Sequence, residues 1–316
     1  MTVQIVFPDR DSLPVELPAF AFPHQLQCHG ETAPAQLLER CADAEVLIVN
    51  KVPLRRELLQ QLPKLRLIAV AATGVNNVDL AACHEQEIAV CNVRHYGDDT
   101  VAEHAFMLML ALARNLPYYR QAVLAGEWAR SRQFCLYGEP VRDMAGRTLV
   151  IIGSGGIGQA LAVRARAFGM QVVFAERRGV STPRPGYCLF EDGLRRADVL
   201  SLHCLLTPET RGLIDAAALS LMRRDALLIN TARGELVDEA ALLAALQGGR
   251  LGGAGLDVLS VEPAPEDHIL SRVALPNLIV TPHVAWASQQ AMTRLAQQVV
   301  DNVSSYYAGN LQNRVV

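Results

Sequence analysis

Three polar residues stand where their side chains could cooperate in redox chemistry. Arg233, Glu262 and His283 each follow, within a few positions, an apolar run that predicts a buried strand. A guanidinium can bind a carboxylate through two parallel hydrogen bonds. A histidine can exchange a proton near neutral pH, and a neighbouring carboxylate can hold its ring. Taken singly, each residue has a plainer explanation: a structural ion pair, a solvated loop acid and a satisfied core histidine.

A glycine-rich turn provides the partner that this chemistry needs. The apolar run Leu149–Ile152 breaks into the pattern G-x-G-x-x-G, and an alanine-rich helical pattern follows. Such glycines permit a tight turn, close approach of the backbone to a pyrophosphate, and close packing of helix on strand. Glu176 ends the next apolar run, where a carboxylate can accept from a ribose hydroxyl. The residues predicted to form the dinucleotide loop are Gly153, Gly155, Gly156, Ile157 and Gly158.

The three polar residues and the dinucleotide together favour reduction of a 2-keto acid. That reaction needs a cation for the carboxylate, a proton donor at the carbonyl oxygen and a hydride from a nicotinamide. Arg233, His283 and the cofactor would supply these, and Glu262 would hold the imidazole. A glycine turn in some other kind of α/β protein is the plainer alternative.

Composition narrows the class of protein. The chain has 316 residues, 51% of them apolar, and a net charge of −3. That charge gives no electrostatic reason to bind nucleic acid or an anionic membrane, and no apolar run is long enough to span a bilayer. Seven cysteines include no C-x-x-C pair, and no signal-peptide pattern opens the chain. We therefore expect reduced thiols, no metal and a cytoplasmic protein.

Strands and helices alternate almost throughout, which predicts parallel α/β sheets with right-handed crossovers. The helix predicted at residues 101–114 would be capped by Thr100, and the last helix is expected at residues 288–308. The runs that predict strands are 3–7, 46–49, 67–71, 88–91, 149–153, 171–176, 199–203, 226–230, 256–258 and 278–281.

The position of the glycine turn divides the chain. Because the turn begins near the middle of the sequence, the first four strands must belong to a separate α/β domain, and the last helix is expected to pack on it. We therefore predict one domain made of residues 1–99 and 285–316, and a dinucleotide-binding domain of residues 100–284. A cleft between two such sheets is the expected place for a ligand.

In this combination the chain resembles the D-isomer-specific 2-hydroxyacid dehydrogenase family over essentially its whole length. The resemblance implies two doubly wound parallel-sheet domains, with a Rossmann cofactor domain inserted into a discontinuous flavodoxin-like substrate domain. It also implies that Arg233, Glu262 and His283 form the catalytic set. The segments that carry it, in the family's order, are TVAEH at 100–104, GSGGIG at 153–158, LHCLLTPET at 202–210, NTARGELVD at 230–238, GLDV at 255–258 and TPH at 281–283.

Further roles follow only from the resemblance. Thr100 would lie near the cofactor phosphates, and Asp257 at the nicotinamide carboxamide. The loop Thr73-Gly74-Val75 would bind the substrate carboxylate through backbone N–H groups, although Asn76 stands where the family commonly has aspartate. A homodimer joined through the cofactor domains is also implied, with the irregular stretch 127–146 at the interface. The residues implied to contact the cofactor are Thr100, His203, Thr207, Thr231 and Asp257.

Two local features narrow the substrate and the cofactor. The segment from His283 to Ser288 is similar to that of glycerate dehydrogenases (hydroxypyruvate reductases), so hydroxypyruvate or glyoxylate is the expected substrate. Trp286 would wall the substrate site, with ordinary packing as the alternative. A D-lactate-type or other 2-keto acid reductase and a dinucleotide-sensing corepressor stay open. Glu176 favours NAD because a carboxylate repels a 2′-phosphate, but Arg177 and Arg178 could cradle that phosphate, which keeps NADP as an alternative.

Overall fold

The computed structural model describes residues 2–316, which form two compact units. Unit 1 combines the chain up to Gly97 with Ala287–Val316, and unit 2 is Asp98–Trp286. Each junction lies two residues from the one predicted. At the first junction the reason is local, because the helix that opens unit 2 begins at Asp98 rather than after Thr100.

Unit 1 contains one sheet of five parallel strands in the order β2-β1-β3-β4-β5. This is the flavodoxin-like order, and it places the switch in strand order between β1 and β3. The strands are β1 Val3–Phe7, β2 His24–Cys28, β3 Val46–Val49, β4 Leu67–Val70 and β5 Ala89–Cys91. The helices are α1 Leu37–Cys41, α2 Arg56–Leu59, α3 Leu80–Glu85 and the last helix of the chain, α11 Gln289–Tyr307.

The sequence did not predict β2, which is an edge strand. Its residues alternate between half-buried and exposed, and polar side chains occupy most of them, so it lacks the apolar run that marks a strand buried on both faces. At the far edge, the C-terminal residues lie antiparallel to β5. Val315 donates a backbone hydrogen bond of 2.7 Å to the Val90 carbonyl. The final residues thus cover an edge that would otherwise be open.

Unit 2 contains a sheet of seven parallel strands in the order β12-β11-β10-β9-β6-β7-β8. The strands are β6 Thr148–Ile152, β7 Gln171–Ala175, β8 Tyr187–Cys188, β9 Val199–Leu202, β10 Leu227–Asn230, β11 Gly253–Leu256 and β12 Leu278–Val280. The helices are α4 Asp98–Ala113, α5 Leu116–Leu124, α6 Glu127–Arg130, α7 Gly156–Ala167, α8 Phe190–Arg196, α9 Ala216–Leu221 and α10 Glu239–Gln247. One apolar cluster includes side chains of α4 and α7, and a second includes those of α8, α9 and α10.

Two predicted elements are displaced. Strand β11 runs over Gly253–Leu256, so the prediction of residues 256–258 was wrong for all but its first residue. The strand was missed because small residues begin it. A side chain at Gly255 would lie 3.0 Å from the Leu108 Cβ of α4, so the helix packs directly on the strand backbone. Thr100 lies inside the first turn of α4 and does not cap it.

The predicted fold class is confirmed: both units are doubly wound parallel α/β sheets, and unit 2 has the strand order of a Rossmann fold. Within residues 2–316, no helix combines the length and the apolar character that crossing a bilayer requires.

Candidate active site

One edge of the unit 2 sheet carries nearly all the residues singled out in that half of the sequence. Because all seven strands are parallel, their carboxyl ends share this edge, which is where α/β sheets bind ligands. Across the edge, the strands and the residues that follow them are β7 with Glu176, β6 with Gly153, β9 with His203, β10 with Thr231 and Arg233, β11 with Asp257 and β12 with His283.

The glycine turn is shaped by close backbone contacts on one side and open space on the other. Gly153 has φ +103°, and a Cβ there would lie 2.5 Å from the His203 carbonyl carbon. A Cβ at Gly158 would overlap the Gly153 carbonyl oxygen. At Gly155 no atom lies within 4 Å of where a Cβ would be. The free N–H groups at the start of α7 therefore adjoin an open cradle, which fits a pyrophosphate.

Two buried polar atoms at this same edge of the sheet have no protein partner. His203 Nδ1 and Thr231 Oγ1 are two of the three such side-chain atoms found in residues 2–316. The other ring nitrogen of His203 lies 2.8 Å from Ser201 Oγ, and burial lowers the pKa of His203 to about 4, so its ring is neutral. Because buried polar groups are normally hydrogen-bonded, these two atoms fit contacts to a bound dinucleotide.

Glu176 is occupied within the protein. Its side chain is 5% exposed and forms a forked ion pair with Arg184, with Nε 2.7 Å from Oε1 and Nη2 2.9 Å from Oε2. These hydrogen bonds lower the pKa of Glu176. Arg178, one of two arginines considered for a 2′-phosphate, instead pairs with Asp215 at 3.1 Å. The predicted contact between Glu176 and a ribose stays a prediction.

Thr100 and Thr207 lie on segments flanking the turn. The first turn of α4, which contains Thr100, is fixed to α7 because Arg164 binds both Asp99 and Glu103 at 2.9 Å. The Asp98 side chain lies against Gly156, where a Cβ would overlap it. In the loop after β9, the Thr207 backbone N–H donates to Thr210 Oγ1 at 2.7 Å.

Arg233 lies in a turn that Asn230 organises. The Asn230 amide donates to the Arg233 carbonyl at 2.8 Å, and its oxygen accepts from the Ala232 N–H at 3.0 Å. The next residue, Gly234, packs against the backbone of Leu259, and a Cβ there would overlap it. The absence of a side chain at Gly234 therefore brings the Arg233 turn next to the loop that carries Glu262.

Glu262 and His283 are joined by a hydrogen bond. Glu262 Oε2 lies 2.6 Å from His283 Nδ1, while Oε1 accepts the Leu259 N–H at 2.9 Å. About one third of each side chain is exposed. His283 has φ +55°, an uncommon conformation for any residue other than glycine, and such conformations persist only where the surroundings hold them. Nδ1 is therefore engaged, and Nε2 is left for a ligand.

Asp257 provides much of the support for this conformation. It is 1% exposed, and its carboxylate accepts the N–H groups of Val284 at 3.0 Å and Ala285 at 2.8 Å, directly after His283. It also accepts the Thr281 hydroxyl at 2.5 Å, and His104 Nε2 lies 2.9 Å from the same hydroxyl oxygen. Asp257 is thus a support for the His283 loop, and its predicted nicotinamide contact stays a prediction.

The predicted substrate loop lies in unit 1, after β4. The Thr73 hydroxyl donates to the Val93 carbonyl at 3.0 Å, and the Thr73 carbonyl accepts from the Asn92 amide at 2.8 Å. Gly74 and Val75 are half-buried. Trp286, the last residue of unit 2, is also half-buried. Their roles toward a substrate stay predictions.

Several residues that shape the site were missed by the sequence analysis. Asn230 stood inside a motif that was quoted, so its position was a usable signal. His104 likewise stood inside the quoted segment TVAEH, whereas Arg184 and Glu239 gave no signal, because Arg184 lies in an irregular stretch and Glu239 acts on residues distant in sequence. Glu239 accepts the Ser260 N–H at 2.7 Å and pairs with His268 at 3.1 Å, behind the Glu262 loop. No group of three or more His, Cys, Asp or Glu among residues 2–316 could hold a metal.

Comparison with known proteins decides the family. The family model described as "D-isomer specific 2-hydroxyacid dehydrogenase, NAD binding domain" matches residues 106–285. A glycerate dehydrogenase of Methylorubrum extorquens is 49% identical over 316 residues, 100% of this chain and 99% of that protein. The chain belongs to the D-isomer-specific 2-hydroxyacid dehydrogenase family. The resemblance read from the sequence is thereby confirmed.

Other members of the family agree. A hydroxypyruvate reductase of Blautia hydrogenotrophica is 33% identical over 283 residues, 89% of this chain and 87% of that protein. The solved D-lactate dehydrogenase of Aquifex aeolicus, in complex with NAD and lactic acid, has a TM-score of 0.82 at 28% identity and covers 99% of both chains. The protein is therefore an NAD(P)-dependent oxidoreductase that interconverts a small 2-keto acid and its 2-hydroxy acid.

Proposed function

We propose that this dehydrogenase reduces hydroxypyruvate to D-glycerate and glyoxylate to glycolate. One observation carries the proposal: the 2.6 Å hydrogen bond between Glu262 and His283, formed beside the Arg233 turn at the carboxyl edge of the unit 2 sheet. A cation, a proton donor and an acid that orients the donor are the groups that this reaction requires of a protein. The high identity to a glycerate dehydrogenase supports the choice of substrate.

The roles follow from the chemistry of each group. Arg233 binds the substrate carboxylate through its guanidinium fork and polarises the neighbouring carbonyl. His283 donates a proton from Nε2 to the carbonyl oxygen, since Nδ1 is engaged by Glu262. Glu262 stabilises the protonated ring and fixes its orientation. When bound, the nicotinamide supplies the hydride to C2.

Residues of unit 2 would hold the cofactor. The N–H groups that follow Gly155 would bind the pyrophosphate, with Thr100 and Thr207 nearby. His203 and Thr231 would use their unpartnered atoms for the half of the dinucleotide that bears the nicotinamide. In unit 1, we propose that the N–H groups of Thr73-Gly74-Val75 bind the substrate carboxylate. Trp286 would limit the size of the substrate.

The decisive experiment separates proton transfer from cofactor binding. His283→Gln should lower kcat for hydroxypyruvate by about 10²–10⁴-fold, while the Kd for NADH, measured by fluorescence titration, stays near that of the unchanged protein. His84→Gln, an exposed histidine of α3 in unit 1, is the control and should change neither quantity. Loss of NADH binding with retained turnover would contradict the assignment.

A panel of substrates tests the remaining choice. Hydroxypyruvate and glyoxylate should give higher kcat/KM than pyruvate or a branched 2-keto acid, and chiral analysis of the glycerate formed should show the D-isomer. A preference for pyruvate would instead indicate a D-lactate-type enzyme. No turnover of any 2-keto acid, with cofactor binding intact, would favour a sensing role.

We also propose that the protein is a homodimer joined through unit 2. Helices α5 and α6 contribute a single buried side chain, Ala122, between them. The rest of this stretch exposes large apolar and aromatic side chains, which are enriched where subunits meet. A second copy of the chain would cover them. The exposed large apolar residues of this stretch are Leu116, Val123, Leu124, Trp128, Phe134, Tyr137 and Val141.

The mass measured by light scattering should be that of a dimer, and Phe134→Asp, at a residue 92% exposed, should shift it toward a monomer. A monomeric unchanged protein would refute the proposal.

We further propose a cytoplasmic location, because all seven cysteines are free, as is usual where thiols are kept reduced.

A further inference from the structure

We propose that Arg184 sets the cofactor preference of this enzyme by engaging Glu176, so that the adenosine ribose site accepts the 2′-phosphate of NADP(H) as well as the free hydroxyl of NAD(H). This inference rests on the proposed assignment of Glu176 to that ribose. Arg184 would be a specificity-determining residue that acts through Glu176 and through its own charge.

The Glu176–Arg184 pair is built into the fold at several points. Glu176 directly follows β7, and its backbone N–H donates to the Cys188 carbonyl of β8 at 2.9 Å. Its carboxylate accepts three hydrogen bonds from Arg184: from Nε at 2.7 Å, from Nη2 at 2.9 Å and from the backbone N–H at 2.9 Å. The guanidinium of Arg184 lies 4.0 Å from the centre of the Tyr187 ring. A forked pair stacked on an aromatic ring is a fixed geometry.

The pair changes what a ribose would meet. A carboxylate has about four acceptor positions, and three of them are filled by Arg184. A ribose that offers two hydroxyl groups would find fewer acceptors than at an unengaged acid. The negative charge that normally repels a 2′-phosphate is offset by a guanidinium in direct contact. Both effects reduce the difference in binding affinity between NAD(H) and NADP(H).

Neighbouring charges leave the site without a net negative charge. Arg177 is exposed, and its guanidinium forms no hydrogen bond or ion pair with any residue in the described range 2–316. Its charge contributes to the lowered pKa values of Glu176 and Glu209, so it lies near both. Arg178 is committed elsewhere, to Asp215 and to the Leu213 carbonyl at 2.9 Å. The charges of Arg177, Arg184, Glu176 and Glu209 therefore sum to zero, so the site has no net negative charge to repel a phosphate.

The test compares the binding of the two cofactors without any keto acid. The Kd values for NADH and NADPH, from fluorescence titration, should lie within about tenfold of each other in the unchanged protein. Arg184→Gln removes the guanidinium and its two hydrogen bonds to the carboxylate and leaves only the one from the backbone N–H, so it should shift the ratio of the two Kd values toward NADH by at least about tenfold. Glu176→Gln should shift the ratio toward NADPH. Arg195→Gln is the matched control: Arg195 is 55% exposed and pairs with Asp192 at 3.3 Å on α8.

The outcomes are distinct. An unchanged ratio in Arg184→Gln, or an unchanged protein that binds NADPH more than about 100-fold worse than NADH, would overturn the inference, even if hydroxypyruvate is reduced. A shifted ratio in a protein that reduces no 2-keto acid would support the inference and refute the proposed function. Thermal unfolding of each variant checks that the substitution leaves the fold intact, and the ratio of the two Kd values is insensitive to a partly inactive preparation.

Discussion

Replacement of Gly234 by alanine should damage catalysis while it spares cofactor binding. Gly234 follows Arg233, and the three atoms nearest to a Cβ at this position are the carbonyl carbon and oxygen of Leu259 and the nitrogen of Ser260. All three are backbone atoms, so none can rotate away. The new methyl group can be accommodated only if the Arg233 turn and the loop that carries Glu262 move apart.

The size of that movement sets the expected loss. Carbon atoms in contact lie about 3.5–4.0 Å apart, and the Cβ would overlap its neighbours, so the loops must separate by more than about 1 Å. A misplacement of about 1 Å at a catalytic group can cost about 100-fold in rate. Overpacking of this kind lowers the free energy of unfolding by about 1–3 kcal/mol, which leaves a folded protein at room temperature.

The assay measures cofactor binding and turnover of the substrate separately. For Gly234→Ala we expect kcat for hydroxypyruvate to fall by about 100-fold, with little change in the Kd for NADH. Gly155→Ala is the contrasting variant. No atom lies within 4 Å of where its Cβ would be, so the methyl group would instead occupy the open cradle predicted to bind the pyrophosphate. It should fold normally and bind NADH poorly. A Gly234→Ala enzyme with an unchanged kcat would show that the two loops need not touch for the reaction.

Two further predictions concern stability and pH. Burial lowers the pKa of His203 to about 4 from its ordinary 6.5, so the unfolded chain binds the extra proton between these values. The contribution of neutral His203 is full above about pH 6.5 and declines as the pH falls toward 4, and the cofactor-free His203→Gln variant should lose that part of the pH dependence in denaturant titrations. Asp215 caps α9 by accepting the Ala218 N–H at 2.7 Å, so Asp215→Ala should lower the free energy of unfolding by about 1 kcal/mol at neutral pH. Because that hydrogen bond lowers the pKa of Asp215, the difference from the unchanged protein should be full above pH 3.8 and shrink as the pH falls below it toward the lowered folded-state pKa; a difference that does not change with pH over this range would contradict the prediction.

Local sequence patterns were sufficient for much of the fold. Strands buried on both faces appear as apolar runs, and nine of the ten predicted runs overlap an observed strand by most of their length. The glycine turn was legible because its spacing reflects backbone requirements that no other residue meets. The exceptions, β2, β8 and β11, have a common cause: the edge strands β2 and β8, and β11 packed directly under a helix, do not need long runs of apolar side chains.

The sequence by itself determined which chemical groups exist and that they follow strands of parallel sheets, since strand patterns and turn glycines are local properties. Only the tertiary structure decided which groups meet. Three such contacts are those of Gly234 with Leu259, of Asp257 with the loop after His283, and of Glu176 with Arg184. Each joins residues that are separated along the chain or that lie in irregular loops. Such pairings arise from how strands are ordered and how loops pack, and no periodicity in the sequence encodes them.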